Sequence, residues 1–145
     1  MKVLKVFNIN IEGGNISIVA SDDGINVNDS NGLLNITAGT TYVNARGDGL
    51  DSNGSITMSG GTVLVDGPTS NGDGALDYDY TANITGGTLV TAGSSGMVQA
   101  ITASDNKSTL NLYFTETQKA NTLVSITDES GNLVCAYKLQ KISKI

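Results

Sequence analysis

Apolar and polar residues alternate along most of this chain, and the alternation recurs in four copies. Ile9, Ile11, Ile16 and Ile18 flank Gly13-Gly14; Leu34, Ile36, Thr41 and Val43 flank Ala38-Gly39. Ile56, Met58, Val63 and Val65 flank Gly60-Gly61, and Ala82, Ile84, Leu89 and Thr91 flank Gly86-Gly87. A period of two predicts strands with every other side chain inward. The glycine corner supplies the backbone freedom for a sharp bend between two short strands, so each coil is expected to carry about three short strands. Aligned on Gly14, Gly39, Gly61 and Gly87, the inward positions form ladders: Ile9-Leu34-Ile56-Ala82, Ile11-Ile36-Met58-Ile84 and Ile18-Val43-Val65-Thr91. A further ladder, Ile25-Leu50-Leu76, follows the next turn.

That turn carries an Asp-Gly step at Asp23-Gly24, Asp48-Gly49 and Asp73-Gly74, at the same interval both times. A repeat of this length marks a solenoid, in which each unit buries its apolar face only against its neighbours. The third unit reaches its Asp-Gly after three extra residues, expected to bulge as a loop at Pro68–Gly72. The fourth ends in Ser94-Ser95-Gly96-Met97 and lacks the Asp. The expected fold is therefore all-β, a parallel β-helix with about 25 residues in each coil. A propeller or sandwich pairs strands antiparallel and gives no reason for a polar turn to recur in register. Residues 1–103 form the coils, with 1–6 as an incomplete rung or a cap. Residues 104–145 read as a hairpin-rich cap: a strand through Leu110, Leu112 and Phe114, a strand over Leu123–Thr127, a turn at Asp128–Asn132 and a return strand over Leu133–Tyr137. The pattern stops in mid-course at Lys141–Ile145, which suggests a truncated segment, and open coil ends recruit other chains.

Composition narrows the chemistry. The net charge is −6, so nucleic acid is not an expected partner. There is no His, which removes imidazole ligands and Ser-His or Cys-His catalysis. The single Cys135 lies in an apolar run and reads as a buried small hydrophobe. No run is long and apolar enough to span a bilayer, and Met1–Phe7 lacks the apolar stretch of a signal peptide, leaving a mature-region fragment and a cytoplasmic protein both open.

Stacked coils place Asp23, Asp48 and Asp73 in one column, roughly 5 Å apart. Like charges at that separation repel by about 1 kcal/mol in water and about 3 kcal/mol at an effective dielectric near 20. Parallel ladders run through Asn26, Asp51 and Asp77 and through Asn28, Asn53 and Asp79. So many oxygen donors favour a hard cation, and Ca²⁺ more than Mg²⁺. The expectation is one Ca²⁺ shared by Asp23, Asp48 and Asp51 and another held by the Asp48 turn with Asp73 and Asp77. A single Asp-Gly is an ordinary turn dipeptide; three in register, each followed by a second acid or amide, point to metal.

The units NIEGGNISIVASDDGI, GDGLDSNGSITMSGGTVLV and NGDGALDYDYTANITGGTLVTAGSSGM, with the closing TLVSITDESGNLV, closely resemble a bacterial family of carbohydrate-binding β-helices formerly described only as a domain of unknown function. The resemblance covers about residues 7–135. It implies a right-handed parallel β-helix that binds calcium and acidic plant-wall polysaccharide (polygalacturonate, pectin), with some affinity for cellulose. It also implies an extracellular or cell-surface location. The family is similar in fold to pectate lyases, whose calcium turn is DDxxD. Asp48 and Asp51 match the last two acids of that turn, and Gly47 replaces the first.

A lyase also needs a basic group beside the metal. The lysines, at 2, 5, 107, 119, 138, 141 and 144, lie outside the acidic rungs, and Arg46 is the only basic residue between Asn8 and Asn106. Arg46 suits a uronate carboxylate, or a surface pairing with Asp22 or Asp48. Tyr78 and Tyr80, flanking Asp79, and also Tyr42, offer aromatic platforms for a sugar or simple packing. A binding module is therefore expected rather than an enzyme. The alternatives are a stalk or adhesin spacer rigidified by calcium and a pectate-lyase-like enzyme.

Overall fold

The computed structural model describes residues 5–101, 104 and 107–141. The inward ladders close into a β-solenoid. Its wall consists of a sheet of long strands, β2 (Asn8–Ala20), β4 (Leu33–Ala45), β6 (Ser55–Asp66) and β8 (Ala82–Ala92). Facing it is a sheet of short strands, β1 (Lys5–Val6), β3 (Ile25–Val27), β5 (Leu50–Ser52) and β7 (Leu76–Tyr78). All neighbours in both sheets are parallel, with Ile9, Leu34, Ile56 and Ala82 in register, as are Ile18, Val43, Val65 and Thr91. No helix occurs among the described residues.

Each coil carries two strands rather than three. The glycine corner bends the long strand without ending it, because the ladder resumes beyond a register shift. Gly14, Gly39, Gly61 and Gly87 hold φ between +80° and +88°, a conformation that side-chain-bearing residues rarely adopt. At Gly39 a Cβ would also fall 2.6 Å from the Gly13 carbonyl carbon one coil below.

The core runs up the axis between the sheets. Leu34, Ile36, Val43, Leu50, Ile56, Met58, Val63 and Val65 are almost wholly buried. In the last coil the equivalent Ala82, Ile84 and Leu89 are half-buried and Thr91 is exposed, since no further coil stacks on them.

Coil length is not uniform. In the long sheet Asn35 stands over Asn10 after an interval of 25, Thr57 over Asn35 after 22, and Thr81 reaches Ser55 after 26. In the short sheet the interval is 25 from Asn26 to Asp51, and Leu50 then pairs with Leu76 rather than with Ala75. The loop at Pro68–Gly72 therefore lengthens its corner by four residues relative to the preceding coil, not three.

The C-terminal strands β9 (Leu123–Thr127) and β10 (Leu133–Lys138) form the expected antiparallel hairpin. Its turn closes on Asp128, whose Oδ1 accepts the Ser130 and Asn132 amides at 2.9 and 2.8 Å. The expected strand through Leu110, Leu112 and Phe114 is absent: this segment finds no ladder partner, and Leu110 and Leu112 stay exposed. It lies with the hairpin over the last coil, across an apolar cavity of about 610 Å³ lined by Ile84, Leu89, Phe114, Ile126 and Cys135. Cys135 is accordingly half-buried rather than buried. The boundary expected at 103/104 falls where residues 102, 103, 105 and 106 lie outside the described residues, as do 1–4 and 142–145 at the ends.

The hairpin is fastened to the flank of the solenoid through Asp66, at the end of β6. This carboxylate is 1% exposed. It accepts the Tyr42 and Tyr137 hydroxyls at 3.0 and 2.8 Å and the Gln140 amide at 3.2 Å. A buried carboxylate is tolerated only when its oxygens are satisfied in this way. Burial and the Asp66 charge push the Tyr42 hydroxyl up to about 12 and raise Tyr137 further. The chain then buries Leu139 and sets the Lys141 ammonium on the Ala45 carbonyl.

Candidate functional site

Asp23 and Asp48 precede the short strands, where each glycine step lets one coil sit tightly on the next. A Cβ at Gly49 would lie 2.4 Å from the Ala75 carbonyl oxygen. This approach aims each carboxylate at the coil beyond. Asp23 Oδ1 accepts the Asp48 amide at 3.2 Å, and Asp48 Oδ1 accepts the Gly74 amide at 2.6 Å. The acceptance pattern shows how the column continues. Leu50 pairs with Leu76, so Asp48 stands over Gly74 and not over Asp73. The four-residue insertion has slid Asp73 one position out of register, where its Oδ2 accepts the Ser70 hydroxyl at 3.4 Å. Three carboxylates do not form one column; two do.

The third acid of the site comes from the next ladder. Asn26, Asp51 and Asp77 are in register, as the sequence pattern implies. Ligand atoms of Asp23, Asp48 and Asp51 lie within 4.8 Å of one another, and all three residues are half-buried. Asn26 sits among them and is 3% exposed. Its amide nitrogen donates to Asp23 Oδ2 at 2.9 Å and also to Asp51 Oδ2. Its Oδ1 is buried without a hydrogen-bond partner. Such an orphan costs about 1–3 kcal/mol, and oxygen and nitrogen of an amide exchange places by a simple flip.

The electrostatics follow from the crowding. The Asp48 carboxyl is pushed up to about 6. Burial is the main cause; the Gly74 amide opposes it, and the charges of Asp77, Asp73 and Asp23 reinforce it. Asp77 faces the irregular segment that follows β8, where the Gln99 amide nitrogen donates to its Oδ1 at 2.8 Å.

The remaining predicted residues occupy other parts of the coil. Arg46 is exposed on the approach to the acidic turn, its amide bonded to the Ala20 carbonyl at 3.2 Å. Tyr78, Asp79 and Tyr80 lie at the opposite end of the short strand. Tyr78 is held through its amide by Gln99 Oε1 at 2.9 Å and through its hydroxyl by the Ala100 carbonyl at 3.0 Å. Asp79 and Tyr80 are exposed, Tyr80 at 62%. Tyr42 is tied to Asp66 and serves the hairpin anchor. Gln99 and Asp66 are not flagged by the sequence pattern. Gln99 lies in an irregular segment beyond the last repeat, whereas Asp66 announces itself only as a charge closing the apolar run Val63–Val65.

No curated protein and no solved structure matches the chain. A family model described as a carbohydrate-binding domain-containing protein does, over residues 7–138, from the first full coil through the end of the hairpin. A match that takes in the solenoid, its acidic turns and the closing strands together places the chain in that carbohydrate-binding family.

Proposed function

We propose that the chain is a non-catalytic module that binds acidic plant-cell-wall polysaccharide of the polygalacturonate type outside the cell, with Ca²⁺ held by Asp23, Asp48 and Asp51. The observation that carries this reading is the convergence of three half-buried carboxylates around Asn26, whose buried Oδ1 lacks a partner. Oxygens on one Ca²⁺ can be up to about 5 Å apart, against about 4 Å on Mg²⁺. Ligand atoms that all lie within 4.8 Å of one another are close enough to share one such Ca²⁺. With a cation at the site, a flipped Asn26 would add its Oδ1 to the three carboxylates, the ion taking the place of the contacts its amide nitrogen now makes to Asp23 and Asp51. Asp73 and Asp77, which both act on the charge of Asp48, are the proposed donors for a second ion.

A bound Ca²⁺ supplies positive charge that a uronate carboxylate can share. Arg46 offers a bidentate contact for the same group. Exposed Tyr80, beside Asp79, gives a surface for a sugar ring farther along the coil. Arg46 and the Lys141 ammonium, set on the Ala45 carbonyl, are the basic groups near the Asp48 turn, and the non-catalytic reading is supported by the carbohydrate-binding family rather than by the lack of a base.

Affinity electrophoresis in gels cast with polygalacturonate, run with Ca²⁺ and with chelator, tests the reading. Retardation that chelator abolishes is expected. Unretarded migration in both gels would make the domain a spacer. Release of unsaturated uronides absorbing in the near ultraviolet would make it a lyase. Titration calorimetry without a heat of Ca²⁺ binding would remove the metal.

A further inference from the structure

An Asn-Gly step is prone to cyclise, because a glycine leaves the backbone nitrogen after the asparagine unshielded and free to turn. Three such steps occur, at Asn31-Gly32, Asn53-Gly54 and Asn71-Gly72. In two of them the coil holds that nitrogen. The Gly32 amide donates to the Asp29 carbonyl at 2.9 Å, and the Gly54 amide donates to Ser52 Oγ at 3.2 Å. Both glycines are buried between coils, and a Cβ on Gly54 would run into the Gly32 carbonyl. Gly72 is different. It is exposed on the Pro68–Gly72 loop, and nothing lies within 4 Å of where its Cβ would be. Its amide has no hydrogen-bond partner among the described residues.

The carbon that this nitrogen would attack is also activated. Ser94 is 3% exposed and fixed in place: its amide donates to the Pro68 carbonyl at 2.8 Å, and its Oγ accepts the Gly96 amide at 3.1 Å. The hydroxyl proton is left for Asn71 Oδ1, at 2.6 Å. A fixed donor there draws electrons from the side-chain amide carbon and stabilises the negative oxygen that forms on attack. From this we infer that Asn71-Gly72 is a site of spontaneous deamidation in the folded protein. The Gly72 nitrogen gives its proton to water and bonds to Asn71 Cγ. The bond from Cγ to Nδ2 breaks, and that nitrogen takes a proton from water and leaves as ammonia. Water then opens the cyclic imide at either carbonyl, leaving aspartate or isoaspartate at position 71. No oxidant or reductant takes part. Either product adds a carboxylate two residues before Asp73. Isoaspartate also lengthens the backbone where Gly96 lies against Asn71.

The full chain, incubated folded at mildly alkaline pH, is followed by peptide mapping with mass detection and by anion exchange. Asn71 should convert at least about tenfold faster than Asn31 and Asn53, since those two wait on local opening of the coil. In urea the advantage should vanish. Ser94→Ala, checked for its fold by circular dichroism, should slow Asn71 about tenfold. Gly72→Ala has room for its Cβ and no left-handed φ to strain it, so it should melt like the parent and keep Asn71 intact. Asn71 that stays intact in the parent, or is lost no faster than Asn31 and Asn53, overturns the inference. So does an advantage that persists in urea, which would belong to the local sequence, or a folded Ser94→Ala that converts at the parent's rate.

Discussion

The Asp48→Asn substitution tests the acidic turn most directly. The folded carboxyl is raised from 3.8 to about 6, so ionising it is harder in the fold than in the unfolded chain. The sign follows: the favourable contribution is complete below about pH 4 and disappears as pH rises through about 6. The interval between the two values corresponds to ~3 kcal/mol. Asp48 is only half-buried, and solvent screening reduces this to on the order of 1 kcal/mol. Asparagine keeps the shape and the carbonyl that accepts the Gly74 amide while deleting the charge. In chelator at neutral pH the variant should therefore melt about 2–6 °C above the parent. At pH 4 the two should coincide. In Ca²⁺ the order should reverse, because the parent gains a carboxylate ligand that the variant lacks. Differential scanning calorimetry at the two pH values, with and without Ca²⁺, reads all three. Equal melting in chelator at neutral pH, or a gap that persists at pH 4, would refute the reasoning.

Saturating Ca²⁺, at a hundred times its dissociation constant, should stabilise the parent by about 2.7 kcal/mol, measured as a rise in Tm that chelator reverses. Gly39→Ala combines a φ of +88° with a Cβ 2.6 Å from backbone and should cost about 2–4 kcal/mol in urea unfolding. Tyr137→Phe removes one of the three donors to buried Asp66 and should cost about 1–3 kcal/mol. The loosened hairpin should then let a thiol reagent reach Cys135 faster; an unchanged labelling rate would show that the anchor lies elsewhere. Gln99→Ala strips the Tyr78 amide and Asp77 of their partner and should cost about 1–2 kcal/mol by thermal melting.

Much of the fold is legible in the sequence because a solenoid turns one-dimensional periodicity into contacts. Ile11, Ile36, Met58 and Ile84 stack because each occupies the same phase of its coil, and the positive-φ corners are spelled by glycines at fixed phase. The misreading at Asp73 has a specific cause. Counting from one Asp-Gly to the next gives the same interval twice, but the coil shortens before β6 and lengthens after it, so equal spacing conceals unequal coils. The Leu110–Phe114 alternation carries the strand signal without the partner that a strand requires. Asn26 can be placed in its ladder from spacing alone. Its buried, unsatisfied oxygen depends on how Asp23 and Asp51 converge on it, which no periodicity encodes.

The four residues gained at the Pro68–Gly72 corner make the two walls of the solenoid keep separate counts. A length change at one corner, offset at another, leaves the long sheet locked while the acidic rim advances by a notch. Which side chain faces outward at the rim can thus be re-dialled by trading residues between corners, with the interior untouched. A scaffold built this way can vary what it grips without relearning how to fold.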